Sequence, residues 1–259
     1  MTRKKLIAFD LDGTLAPSKS PLPEQMAPLI KSLLETHEVC VISGGKFEQF
    51  QKQLLGGLEA GPAELQRLHL MPTCGTRYYL YNIAKREWVL QYAEDFSEPE
   101  KKKIIEALNK GFDDLKMRAS KVYGETIEDR GSQVTFSVLG QDIVDELGME
   151  GVELKEAWDP DNAKKQKLRD YIAPLIPGFE VRVGGVTSID VTKLGIDKAY
   201  GIKKLLEMLE LGIEDVLFAG DRLQEGGNDF PVKNMGVDSI AVRSWEDTAL
   251  VIETILKTA

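Results

Sequence analysis

Cysteine and histidine are scarce, with two of each in 259 residues. Cys40 and Cys74 each sit in an apolar run, which reads as two buried reduced thiols and not as a disulfide framework or thiolate metal site. His37 and His69 have no His, Cys or carboxylate partner at ligand spacing, so no role is assigned to them. No apolar run approaches 18 residues, which excludes a membrane-spanning helix. The first five residues, Met1 to Lys5, are basic, but only four apolar residues lie between them and Asp10, too few for a signal peptide. Positive charge is also short: 33 Lys and Arg stand against 42 Asp and Glu, a net charge of −9. Binding along a nucleic-acid backbone rests on clustered cations, so no nucleic-acid partner is expected. An anionic ligand would have to be drawn in by local cations or a metal. A soluble protein of a reducing cytoplasm is the expectation, as a monomer or homodimer.

What is present is a split pattern. Leu6-Ile7-Ala8-Phe9 and Val39-Cys40-Val41-Ile42 read as buried strands, and residues 23–36 carry apolar positions at helical spacing. A helix through Phe47, Phe50, Gln51 and Leu54 follows. Strand, helix, strand, helix with continuous apolar strands predicts a parallel sheet covered on both faces. The end of the chain returns to this style, with a helix over 197–211, a strand Val216–Ala219, a strand Ser239–Val242 and a last helix over 246–256. The middle differs. Tyr78–Tyr81 and Trp88–Leu90 suggest a hairpin, Ser97-Glu98-Pro99-Glu100 opens a helix, and strands flank Asp129-Arg130-Gly131. Residues 161–176 look helical, and Val181–Val183 and Ser188–Val191 look like strands. The expected fold is therefore α/β: a Rossmann-like core of residues 1–83 and 187–259, with an α+β domain of antiparallel sheet inserted at 84–186.

Chemistry-bearing residues gather at predicted strand ends. Asp10 and Asp12 close the first strand, and in extended chain positions i and i+2 point the same way. Two close carboxylates repel unless a cation lies between them, and a hard divalent ion such as Mg²⁺ suits oxygen ligands. Gly13 would let backbone approach a phosphate, and Thr14 adds a hydroxyl; the same five residues are also a plausible turn with a helix cap. Ser43-Gly44-Gly45 ends the second strand just before a helix, where a hydroxyl and free amides could hold phosphate, or form an ordinary turn. Lys198 opens a helix, the end whose dipole disfavours a cation, unless an anion offsets it. Gly220-Asp221 ends a third strand, and Gly226-Gly227-Asn228-Asp229 follows. Each element is modest alone, but all four fall at the carboxyl ends of core strands or at the next helix start.

In this order the motifs resemble the haloacid dehalogenase superfamily: Asp10-Leu11-Asp12-Gly13-Thr14 the first, Ser43 the second, Lys198 the third, and Gly220-Asp221 through Asn228-Asp229 the fourth. The inserted α+β domain resembles the cap of subfamily IIB. Gly13–Pro17, Ile42–Gly45, Gly184–Val191 and Gly226–Asp229 are most similar to the eukaryotic-type phosphomannomutase family. The resemblance implies that Asp10 is the nucleophile and that Asp12 is general acid and base. It implies a Mg²⁺ cofactor on Asp10, the Asp12 carbonyl and Asp221, with Asp229 contributing directly or through water. Gly13, Thr14, Ser43, Gly44, Lys198 and Asn228 would hold phosphate, and Arg130, Ser188 and Asp190 would contact the substrate. One departure stands out. Where the mutases carry an arginine in an Ile-Gly-Arg segment, this chain has Leu139-Gly140-Gln141-Asp142, then Asp145 and Glu146. Glutamine cannot form a bidentate charged fork, and the acids would repel a second phosphate, though Arg118, Lys121 or Arg182 could substitute. Hydrolysis of a small phosphomonoester, most simply a sugar phosphate, is therefore expected. The alternatives are a phosphohexose mutase interconverting mannose 6-phosphate and mannose 1-phosphate, and an inactive binding module.

Overall fold

A computed structural model describes residues 4–184 and 186–258. Met1, Thr2, Arg3, Gly185 of the Gly184–Val191 motif, and Ala259 lie outside the described residues. Two compact units form: Met1–Ala93 with Asp197–Ala259, and Glu94–Ile196.

The first unit is built on a seven-stranded sheet. Its strands are β1 (Leu6–Phe9), β2 (Glu38–Ile42), β3 (Leu68–Met71), β4 (Arg77–Asn82) and β5 (Glu87–Ala93). The second unit contributes β6 (Ile127–Asp129), β7 (Gln133–Ser137), β8 (Phe179–Val183) and β9 (Ser188–Lys193), and the chain then returns to the first with β10 (Val216–Gly220) and β11 (Asp238–Ala241). The order across the large sheet is β11-β10-β1-β2-β3-β4-β5. The first five strands in that order pair in parallel, and β3-β4 and β4-β5 are antiparallel.

Alternation along the strands sorts two apolar layers. Ile7 and Phe9 of β1 with Val39 and Val41 of β2 face a cluster holding Met26, Ile30, Leu33, Phe50 and Ile252. Leu6, Ala8, Cys40 and Ile42 face the other side, against Ile202, Leu205 and Val232. Phe9 and Phe218 are fully buried; each such side chain contributes about 1.5–3 kcal/mol. With both faces covered, the strands can be near-continuously apolar.

The second unit pairs β6-β7-β9-β8, all antiparallel. Val134, Phe136, Ile189 and Val191 bury one face under helices Glu98–Asp114 and Ala163–Ile172. The first helix opens where expected: Ser97 and Glu100 form a reciprocal capping box, with Ser97 N donating to Glu100 Oε2 at 2.7 Å.

The units end later than the expected 84–186. The Tyr78–Leu90 hairpin joins the large sheet, since Leu70 of β3 pairs with Tyr79. Ser188 to Val191 belong to the small one. The first assignment rests on β3, a nearby strand without a clear sequence signal, and the second on β7, a partner remote in sequence. Strand β3 and helices Ile143–Leu147 and Met149–Trp158 carry no signal strong enough to have been read in advance.

Candidate active site

Three adjacent strands set the site. β1 runs between β10 and β2, with Phe9 opposite Ala219 on one side and Val41 on the other. Asp10 follows β1, Ser43 follows β2 and Asp221 follows Gly220 of β10, so all three reach the carboxyl edge of the parallel strands. Asp10 N donates to Ala219 O at 3.1 Å, carrying the β1-β10 ladder one residue further.

Lys198 enters at the first turn of helix Lys198–Leu209, whose cap Asp197 accepts from Tyr200 N at 2.9 Å. Its Nζ lies 2.6 Å from Asp10 Oδ1 and 2.6 Å from Asp229 Oδ1. The lysine is 1% exposed and Asp10 3%. Asp10 Oδ1 also accepts from Leu11 N at 2.7 Å, and Asp229 Oδ2 from Arg222 N at 3.0 Å. The lone cation at the wrong end of a helix dipole thus has two carboxylates to offset it.

One oxygen each from Asp10, Asp221 and Asp229 lies within 4.8 Å of the others. Burial pushes the Asp10 carboxyl well above the ordinary carboxylate range, against the pull of Lys198 and with the push of Asp229 and Asp221. Burial likewise raises Asp221, with Asp229 adding to it. Burial works against the Lys198 charge, but Asp10 and Asp229 outweigh it and hold the ammonium above its usual range. Three carboxylates crowd the Lys198 ammonium, with the partly exposed Arg222 Nε 3.6 Å from Asp221 at the edge of the cluster. The donors are all oxygen, and Asp221 Oδ1 is buried without a hydrogen-bond partner. The residues present therefore fit a hard divalent cation.

Two glycines make the packing possible. Gly13 has φ +83°, and a Cβ there would stand 2.8 Å from Asp221 Oδ2. A Cβ on Gly220 would stand 2.4 Å from Asp229 Oδ2.

Asp12 is placed otherwise than extended chain suggests. β1 ends at Phe9, Gly13 N donates back to Ala16 O at 2.8 Å, and Asp12 bridges to Ala16. The chain is turning, so the period-two rule lapses, and the Asp12 carboxylate is not in the acidic cluster. Its Oδ1 accepts from Lys19 N at 2.7 Å and Gln53 Nε2 at 3.1 Å, and its Oδ2 from Gln49 Nε2 at 2.8 Å. Gln49 and Gln53 escaped sequence reasoning, although they sit four apart just beyond Ser43-Gly44-Gly45.

Among the other expected residues, Thr14 is fully buried and its Oγ1 has no hydrogen-bond partner. Ser43 is buried, and its Oγ accepts from Gly45 N at 3.1 Å. Gly44 is half-buried and Asn228 exposed. In the second unit, Arg130 forms a 2.7 Å ion pair with Glu128. Asp190 Oδ1 accepts from Thr135 Oγ1 at 2.8 Å, and half-buried Ser188 lies opposite Ser137 in the same sheet.

An acidic centre at the carboxyl edge of a parallel sheet is the frame of an α/β enzyme. The chain belongs to the haloacid dehalogenase-like hydrolases, whose family model matches residues 7–230. It is 26% identical to a phosphomannomutase of Encephalitozoon cuniculi, over 98% of this chain and 94% of that protein. It is likewise 26% identical to a phosphomannomutase of Babesia bovis, over 99% of each. Among solved structures, an IMP-bound, N-terminally truncated IMP-nucleotidase of Plasmodium falciparum shares the fold. Its TM-score is 0.66 at 17% identity, with 98% of this chain and 68% of that one covered. No helix among the described residues is long and apolar enough to cross a membrane.

Proposed function

We propose that this chain is a Mg²⁺-dependent phosphatase of a small phosphomonoester, most simply a sugar phosphate, acting through a phosphorylated Asp10. The observation that carries the reading is the buried Lys198 ammonium held 2.6 Å from both Asp10 and Asp229 beside Asp221. Asp10 attacks phosphorus as the bond to the leaving alcohol breaks, and Asp12 gives the leaving oxygen its proton. Water then attacks the acyl phosphate, Asp12 takes that water's proton, and phosphate leaves Asp10 unchanged. Lys198 and the Ser43 hydroxyl stabilise charge on the phosphoryl oxygens, and the unpaired Thr14 Oγ1 and exposed Asn228 are further candidates. Gly13 and Gly44 keep the backbone clear for the same group. Asp10, Asp221 and the Asp12 carbonyl would hold Mg²⁺, with Asp229 behind them, and the ion would neutralise phosphoryl charge. Arg130, Ser188 and Asp190 are assigned to substrate recognition on the polar side of the second sheet.

The named relatives favour a second reading, a phosphohexose mutase, in which a sugar hydroxyl replaces water as acceptor. Against it stand Gln141 and the exposed Asp142, Asp145 and Glu146, a poor grip for a second phosphate. Phosphate release and isomerisation of mannose 1-phosphate, with and without hexose 1,6-bisphosphate, separate the two. Release faster than isomerisation supports the phosphatase, and bisphosphate-dependent isomerisation faster than release overturns it. No turnover of any phosphomonoester, with Mg²⁺ present, leaves the inactive binding module.

A further inference from the structure

The Asp12 carboxylate is caught in a small amide network that no expected role explains. Gln49 Nε2 donates to Asp12 Oδ2 at 2.8 Å and to Gln53 Oε1 at 3.0 Å. Gln53 Nε2 donates to Asp12 Oδ1 at 3.1 Å and to Pro17 O at 3.3 Å. Each side-chain amide has two N–H donors, and all four are committed. Lys19 N adds a fifth donor, onto Oδ1 at 2.7 Å, from a residue with φ +54°. A left-handed non-glycine backbone is strained, and here it aims an amide at Asp12. Gln49 lies in the short helix Phe47–Phe50 and Gln53 in the π-turn Gln51–Leu55 that follows, so the pair projects from consecutive turns. A π-turn is an uncommon element, often found at functional sites. Gln53 is buried at 2% exposure, where an amide needs such partners.

The two oxygens are not held alike. Oδ1 has two donors, one of them backbone; Oδ2 has one, from the half-buried Gln49. We infer that Gln53 and the Lys19 amide anchor Asp12 through Oδ1, and that Oδ2 is the oxygen that exchanges the proton, exchanging its Gln49 bond for the reacting oxygen. Gln49 and Gln53 are thus positioning residues for proton transfer, acting through Asp12. This rests on the proposed role of Asp12 as acid and base. In the first step the Oδ2–H bond breaks as the leaving alkoxide takes the proton. In the second the attacking water's proton returns to Oδ2.

Leaving-group dependence tests this. Single-turnover phosphorylation of Asp10 is followed with p-nitrophenyl phosphate, whose leaving group needs little proton help, and with glycerol 3-phosphate, whose alkoxide needs it. Gln53→Leu should slow the alkyl ester about 10- to 100-fold while leaving the aryl ester within about twofold. Gln49→Leu, at a half-buried position, should show the same split to a lesser degree. The double variant should lose less than the product of the two, since the amides form one network. Equal losses on both esters, or no loss on either, overturn the inference. A wild-type protein that phosphorylates Asp10 from neither ester fails at the earlier reading instead.

Discussion

Lys198 and Asp10 form a buried ion pair, Nζ to Oδ1 at 2.6 Å, in which neither side chain reaches solvent appreciably. Replacing the lysine removes the buried cation that Asp10 and Asp229 share and leaves the partly exposed Arg222, 3.6 Å from Asp221, at the edge of the cluster. Removing one partner of a buried pair costs about 3–5 kcal/mol. Lys198→Met should lose that much in urea unfolding without metal, and Mg²⁺ should restore part of it. Phosphate release should fall at least about 100-fold, because a donor to the phosphoryl oxygens goes with it. A variant as stable as wild type in EDTA would show that the carboxylates are already neutral without the lysine.

Metal binding has its own signature. Mg²⁺ binding the folded chain alone should raise the melting temperature, and at ~100 times its dissociation constant it adds about 2.7 kcal/mol. Asp221→Asn should lose most of that shift, since Asp221 brings a buried, unpartnered Oδ1 to the cluster. Calorimetry with the metal alone provides a check that needs no substrate. An unchanged shift in the variant would place the ion elsewhere.

Much of this centre was legible because each piece is local. A strand of four apolar residues ending in Asp10, or of five residues ending in Gly220 before Asp221, declares both the strand and its open end. What stayed hidden depends on partners that only the fold supplies. The resemblance puts Asp229 beside the metal, but its bond to Lys198, 31 residues away, comes from the fold. Asp12 reads as a second cluster carboxylate until the turn at Gly13 sends it to Gln49 and Gln53. The β4-β5 hairpin is equally plain as a hairpin, but only its pairing with β3 says which sheet it extends.

Gly220 is a position where one methyl group should be felt. A Cβ there would stand 2.4 Å from Asp229 Oδ2 and 2.6 Å from its Cγ. Asp229 is fully buried and already bonded to Arg222 N and Lys198, so it has little room to give. Gly220→Ala should cost about 1–3 kcal/mol as overpacking. It should also depress turnover more than substrate affinity, because the Lys198–Asp229 contact opens. Thermal melts with a kcat and KM determination would check both, and an unchanged kcat would detach Asp229 from the chemistry.

Asp190 offers a test of electrostatics away from the metal cluster. It lies on β9 between Thr135 of β7 and Arg182 of β8, with Arg130 and Glu128 nearby. Burial raises its carboxyl above the ordinary value, against Arg130 and the hydrogen bonds from Thr135 and Gln133, and Glu128 adds to the rise. A carboxyl with a raised folded pKa binds its proton more tightly in the native state than in the unfolded chain. Its contribution to stability is therefore fullest below the unfolded value, about 3.9, and is lost as pH rises through the raised one. Asp190→Asn keeps the acceptor oxygen for Thr135 and removes the titration. The stability of wild type minus that of the variant should fall as pH rises from about 4 and then level off. Urea unfolding of both proteins across that range measures the difference directly, and common effects of other carboxylates cancel. A difference that grows with pH would mean that Arg130 outweighs burial and that Asp190 works as the charged half of an ion pair.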